Sequence, residues 1–289
     1  MPTVPPAQPP TESHQASHQV REVAESFGAE AGRYDRARPS YPAALVERIV
    51  AASPGRRVLD VGCGTGIVAR LFQAAGCDVL GVDPDARMAG HARERGLEVE
   101  VATFETWATN GRAFDTIVSG QAWHWVDPVA GAAKAASALR RGGRFAVFWN
   151  VFQPPADLGK AIAEVYRRVL SDLLADLPSG LWDRPFLEIY ETMGAKTADG
   201  MRQAAAFGEP EQWRFGWERP YTRDEWLEQV PTFGGFSRIP PDQQEQILAG
   251  IGAAIDAAGG GFTMGFTTLA VTAALATPLA GPACIVRPD

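Results

Sequence analysis

The chain has 289 residues, enough for one enlarged α/β domain or a domain with a cap. Hydrophobic residues make up 46% and charged residues 21%, and a net charge of -7 without any Lys/Arg-rich run argues against a nucleic-acid groove. Cys63, Cys77 and Cys284 show no metal-type spacing, and an odd set without a framework points to a reducing cytoplasm.

Residues 1–18 open with five prolines in the first ten positions, followed by Ser, Gln and His, and read as a disordered leader without a secretory pattern. His14 and His18 lie there and suggest no metal role. An arm of the core follows, with Tyr34, Arg38 and Tyr41 ahead of Pro42. Pro42 suits a helix start, and Leu45, Val46 and Ile49 give that helix an apolar face. The arm reads either as a surface strap on a sheet or as part of a substrate pocket.

From residue 56 strands and helices alternate. Strands are predicted at 56–61, 78–82, 97–102, 114–119 and 144–150, and helices at 65–75, 86–95 and 128–139. Short apolar strands separated by helices of about ten residues imply right-handed βαβ units and a parallel sheet covered on both faces. Residues 19–152 are therefore the core of a Rossmann-like α/β fold. After Gln153-Pro154-Pro155 the rhythm changes. Helices at 158–177 and 181–193 suggest that 153–207 is a helical cap over a ligand crevice. The remainder, 208–289, returns to the core: a strand at 211–217, a capping box at Thr222-Arg-Asp-Glu225 opening a helix to 229, a helix at 241–257 and a strand at 261–274. The stretch 262–280 is too polar for a membrane span. The total is seven strands, mostly parallel, with the last an antiparallel partner.

The chemistry starts at Asp60-Val-Gly62-Cys63-Gly64-Thr65-Gly66, between the first strand and the first helix. Glycines there let a backbone approach a ligand. A dinucleotide turn needs glycine at positions one, three and six, but the sixth position from Gly62 is Ile67. Asp60 beside the turn would repel phosphate and suits a ligand amino group. Asp83, followed by Pro84, ends the second strand, where a carboxylate can accept both hydroxyls of a ribose. Thr103, Phe104 and Glu105 close the third strand, where a flat ring and exocyclic amine could be met. Together these describe a cleft for an adenosine that carries an amino acid.

The motif at 58–66, Val82-Asp83 and the strand after Gly142-Gly143 resemble a class I S-adenosylmethionine-dependent methyltransferase. The arm Arg38-Pro-Ser-Tyr-Pro42 and the turn Gln121-Ala-Trp123-His124-Trp125 resemble its small-molecule subgroup, the methyltransferase type 11 or trans-aconitate-methyltransferase-like proteins. The resemblance implies a seven-stranded sheet with one antiparallel strand, S-adenosylmethionine as cofactor and S-adenosylhomocysteine as product. It implies that Asp60 and residues 62–66 line the methionine, that Asp83 and Pro84 meet the ribose, that Thr103, Phe104 and Glu105 surround the adenine, and that Ser119 and Gln121 lie under the sulfonium. The usual acid-alanine pair after the third strand is replaced here by Thr103-Phe104.

In-line methyl transfer needs alignment, exclusion of water and sometimes a base. His124 follows the fourth strand and reads either as that base or as a structural donor. Glu164 and Glu191 are alternative bases in the cap. Trp123, Trp125 and Trp149, with Trp182, Phe186 and Tyr190, suggest an aromatic wall for a planar or cationic acceptor, or else core packing. Tyr34, Arg38 and Tyr41 are the arm's candidates for acceptor binding. The loop 119–124 lacks the Asn/Asp-Pro-Pro-aromatic sequence common in methylases of base or glutamine amines. The expectation is a cytoplasmic monomer or homodimer, with neither metal nor nucleic acid nor membrane, that methylates O or N of a small molecule in bacterial metabolism. An RNA or protein methyltransferase, or a binding protein without transfer, are the alternatives.

Overall fold

The structure, a computed structural model, describes residues 27–171 and 186–276. The predicted leader, His14, His18, Trp182 and Cys284 lie outside the described residues. Seven strands form one sheet in the order β3-β2-β1-β4-β5-β7-β6. They are β1 (Arg57–Val61), β2 (Asp78–Asp83), β3 (Glu98–Val101), β4 (Phe114–Gly120), β5 (Leu139–Gln153), β6 (Glu211–Thr222) and β7 (Gly261–Ala274). The first five are parallel, and β7 runs antiparallel to both β5 and β6. The winding reverses between β1 and β4, the place where sheets of this kind open a crevice at the carboxyl ends of their strands.

Alternation along each buried strand divides the core in two. On one face Val58, Val79 and Val118 meet α2 (Ala43–Ala51), α3 (Ile67–Ala74) and α4 (Ala86–Glu94). On the other, Leu59, Val61, Ile117 and Phe145 meet α5 (Pro128–Ala138) and α7 (Phe186–Gln203). Each fully buried Leu, Ile or Phe contributes about 1.5–3 kcal/mol, so both faces are needed. Among the described residues no helix is long and apolar enough to cross a membrane.

Strands β5 and β6 are longer than the sequence pattern indicates. Gly120 at the end of β4 pairs with Phe148, yet β5 continues to Gln153, which pairs with Gly265 of β7. Strand β6 continues to Thr222 opposite Gly261. This overhang carries a third apolar cluster. Phe152, Tyr221, Met264 and Phe266 pack there with α6 (Ala156–Val169), α8 (Arg223–Gln229) and α9 (Pro241–Ala257). The Thr222–Glu225 capping box starts α8 as its sequence indicates, with Thr222 N–H donating to Glu225 Oε2 at 2.8 Å and Glu225 N–H to Thr222 Oγ1 at 3.2 Å.

The block 153–207 is therefore not one cap. Helix α6 lies against α9, and a Cβ on Gly250 of α9 would stand 2.7 Å from Val165 Cγ1. Helix α7 instead covers the sheet: a Cβ on Gly200 would stand 2.4 Å from the Pro128 carbonyl oxygen of α5. Residues 197–206 look weakly patterned because this close packing uses small residues rather than large apolar ones. The cap is built from α6 together with α8 and α9, which sequence order assigned to the core.

The arm holds core and cap together. Asp35 of α1 (Ala31–Ala37) accepts from Arg70 at 2.6 Å and pairs with Arg95 at 3.1 Å, while neighbouring Arg36 reaches Glu228 of α8 at 3.0 Å. Asn150 donates from Nδ2 to the Ser40 carbonyl at 2.9 Å and accepts from Thr268 Oγ1 at 2.6 Å.

Two tryptophans of the expected wall belong to the core. Trp123 is 2% exposed, with its ring 4.7 Å from that of Phe145, and Trp149 in β5 is 0% exposed. Residue type alone does not show which face of a strand a ring takes. Trp149→Ala should cost about 3–5 kcal/mol in denaturant unfolding. A change under about 1 kcal/mol would contradict the core assignment.

Candidate active site

The glycine turn needs its glycines for conformation and for room. Gly62, Gly64 and Gly66 have φ of +68°, +54° and +85°. A Cβ on Gly62 would overlap Ala122 Cβ at 2.4 Å, so the turn lies directly against the loop after β4. The Gly64 N–H is not free for a phosphate: it donates to Asp83 Oδ2 at 2.8 Å. The Asp85 N–H holds Oδ1 of the same carboxylate at 2.9 Å. Asp83 is thus fixed in one orientation, with lone pairs left on each oxygen. Burial raises its pKa to about 6, and the two amide bonds limit the rise.

Asp60 is 0% exposed, and neither carboxylate oxygen has a hydrogen-bond partner. Burial first, then the charge of Asp83, push its pKa to about 8; the backbone of Ala69 relieves this only in part. A carboxylate left so exposed to its own desolvation fits a cationic ligand group at the turn.

A cavity of about 1240 Å³ opens from this point. Gly62, Gly64, Asp83 and Pro84 border its first end, with Thr103, Phe104 and Glu105 beside them. Phe104 is buried, near-parallel to Trp107 at 6.4 Å. Tyr34, Arg38, Gln121, His124 and Trp125 follow along the wall. A narrow side recess takes Tyr41, Cys63 and Thr65, and it shares Arg38, Gly62 and Gln121 with the main cavity. Tyr41 is packed edge-on to Phe148 at 5.0 Å, and burial raises its phenol pKa well above the ordinary value.

Other expected contacts fall outside the lining. Ser119 is buried, and its hydroxyl donates to the Val61 carbonyl at 2.9 Å, tying β4 to β1 instead of facing a ligand. Gly66 caps α3 in the left-handed conformation against Leu97 and Ala92. Asp60 lies behind the turn. Trp123 and Trp149 are core. Glu164 and Glu191 pair with Arg167 and Arg214 on the surface, which removes them as bases.

His124 borders the cavity and lies 4.5 Å from the Trp125 ring. Its ring keeps accessible surface because it faces that cavity, while the protein around the cavity desolvates it and lowers its pKa to about 4. At pH 7 the imidazole is neutral. Arg38 donates to the Thr232 carbonyl and lies 5.0 Å over the Tyr34 ring and 4.9 Å over that of Phe233, joining the arm to the cap.

The far end of the cavity was not legible in the sequence. Phe152, Tyr166, Trp226, Phe233, Ile251 and Met264 line it, from five elements and a loop. In sequence they read as ordinary apolar faces. The local signal was Phe233-Gly-Gly-Phe236, two aromatics around a glycine pair.

This sheet order with an acid at the end of β2 and a glycine turn after β1 is the architecture of Rossmann-like methyltransferases. Residues 34–178 match a family described as a methyltransferase domain, and the chain belongs to that family. An uncharacterized methyltransferase of Mycobacterium tuberculosis is 39% identical over 133 residues, covering 45% of this chain and 54% of the relative. A trans-aconitate 2-methyltransferase of Mycolicibacterium gilvum is 32% identical over 151 residues, covering 50% of this chain and 56% of the relative. The chain thus spans about half the length of these curated relatives. A solved structure from Anaeromyxobacter dehalogenans, described as a candidate type II methyltransferase, aligns over 81% of this chain and 97% of its own. Its TM-score of 0.58 at 23% identity is a likeness of fold.

An acid whose folded-state pKa lies above its unfolded value keeps its proton only in the native state, here between about pH 4 and pH 8. Over that window Asp60 lowers the stability of ligand-free protein as pH rises. In thermal melts between about pH 5 and pH 9, Asp60→Asn should flatten this decline and be the more stable form at the alkaline end. Parallel pH profiles would contradict the buried, unpaired carboxylate.

Proposed function

We propose that the chain transfers a methyl group from S-adenosylmethionine to oxygen or nitrogen of a small molecule held beneath the cap. One observation carries this reading: a single cavity runs from the Gly62–Gly64 turn and the oriented Asp83 carboxylate to an aromatic chamber closed by α6, α8 and α9. The residues present fit the donor. Asp83 offers acceptor lone pairs to two ribose hydroxyls, and Thr103, Phe104 and Glu105 offer an apolar slot with polar edges for adenine. Asp60, buried behind the turn, suits the α-ammonium as nearby negative charge rather than as a direct contact, and Arg38 at the mouth of the recess suits the α-carboxylate. The donor supplies a methyl group on a positively charged sulfur, which is already a good leaving group.

The protein's own task is then alignment and exclusion of water. His124 borders the chamber beyond Gln121. Its ring faces the cavity, and the surrounding protein lowers its pKa, so the neutral imidazole can accept a hydrogen bond from an acceptor O–H or N–H. A pKa near 4 suits orienting that group more than storing its proton.

Two measurements test the reading. Asp83→Ala should weaken binding of S-adenosylhomocysteine in calorimetry by about 2–4 kcal/mol, as two charge-assisted hydrogen bonds are lost. Unchanged affinity would remove Asp83 from the ribose. His124→Ala should lower kcat about 10²-fold at unchanged donor affinity, with substantial rescue by His124→Gln if positioning dominates. Absence of rescue would return the base role to His124.

A further inference from the structure

We propose that the acceptor is a bulky, apolar, uncharged molecule that presents a single hydroxyl or amine to the donor, and not a polycarboxylate or an ammonium compound. This rests on the functional reading above and names its substrate class.

Size is the first argument. At about 1240 Å³ the cavity exceeds the roughly 300–1,000 Å³ that one drug-sized ligand occupies. The donor's determinants are gathered at one end, around Gly62, Gly64, Asp83 and Glu105. The remaining chamber has room for a second molecule of comparable size.

Charge is the second. Among the described residues that line the cavity, Arg38 is the one with a cationic side chain, against the acids Asp83, Asp85 and Glu105. Arg38 donates to the Thr232 carbonyl, and in the functional reading above its remaining donors serve the α-carboxylate of the methyl donor, which leaves none for an acceptor's carboxylates. Several carboxylates buried here would lack partners, and a buried unpaired charge is far more unfavourable than ring contacts are favourable.

The third is ring geometry. Phe152 meets Phe233 at 5.6 Å and 90°, and Trp226 meets Phe152 and Phe233 at 6.0 and 5.9 Å. These three rings meet edge to face or tilted, and the Arg38 guanidinium already lies over Phe233, so they do not stand as parallel walls around an ammonium. The chamber's acids are at the donor end. What it offers instead is apolar contact, with Tyr166 and Tyr190 held in the neutral phenol form by burial and His124 held neutral. Such groups orient a hydroxyl or amine. The lone pair of that oxygen or nitrogen forms the bond to the methyl carbon. The carbon–sulfur bond breaks, its electron pair returns to sulfur, and the acceptor's proton leaves to water.

The test uses the full chain. Calorimetry with S-adenosylhomocysteine comes first, because failure of that ligand to bind would overturn the functional reading itself. The loaded protein is then titrated with 4-hydroxybiphenyl, 2-naphthol, trans-aconitate and 2-dimethylaminoethanol. The two aromatic alcohols should bind at least tenfold more tightly than the tricarboxylate or the amine. If neither aromatic alcohol binds the loaded protein, or if trans-aconitate or the amine binds as well, the inference is overturned. Phe186 is 55% exposed at the chamber wall, so a polar substitution there is tolerated by the fold. Phe186→Glu should weaken 4-hydroxybiphenyl binding about tenfold with S-adenosylhomocysteine affinity unchanged. Equal affinity for 4-hydroxybiphenyl would place the apolar ligand outside the chamber and overturn the assignment.

Discussion

Two carboxylates are buried close together at the carboxyl ends of β1 and β2, and the site depends on the difference between them. Asp83 has two backbone N–H groups fixed on it, from Gly64 and Asp85, and keeps lone pairs for a ligand. Asp60 has only the Ala69 backbone to relieve it, and neither of its oxygens is held as those of Asp83 are. Their repulsion and burial destabilise the ligand-free protein, and a cationic group bound between turn and strand would relieve it. Destabilisation concentrated at a binding site is a common feature of proteins whose native state is completed by a ligand.

The sheet makes that site possible by reversing its winding between β1 and β4, which opens the crevice where both acids stand. It then makes a second chamber by extending. Strands β5, β6 and β7 run past the ends of their parallel neighbours, and the overhang is the floor on which α6, α8 and α9 assemble. The glycine-turn end and the apolar chamber are therefore two ends of one sheet rather than two folded units. The arm fastens them, with Asp35 tied to the core, Arg36 tied to α8 and Arg38 laid between Tyr34 and Phe233. Movement of the cap relative to the core must disturb these contacts, so the arm couples the two ends of the cavity.

The chemistry on the two ends differs in kind. The donor end is polar and directional, built from backbone amides, carboxylates and a glycine turn that admits no side chain. The other end is broad and mostly apolar, lined by side chains from α6, α8, α9 and the overhanging strands. The segment that matches the family, residues 34–178, spans the glycine turn, Asp83 and α6, and ends before α8 and α9.

The donor end was legible in the sequence because its determinants are local. Asp60 to Gly66 form one turn, and Ile67 at the sixth position separates it from a dinucleotide loop within a few residues. Alternating strands and helices determined the α/β class, and the helix at 241–257 and the strand at 261–274 were delimited by their own proline and glycines. Trp149 was not decided this way, because residue type does not state which side of a strand a ring takes, nor was Trp123, whose ring leaves the turn after β4 to pack on Phe145. Nor was the cap, since α6 and α9 lie more than seventy residues apart in the chain and meet only through an overhang that no local pattern records. Short-range turn chemistry and periodicity thus determined the cofactor end of this protein. Long-range packing, which depends on how far β5, β6 and β7 outrun their neighbours, decided where the apolar chamber lies and which side chains line it.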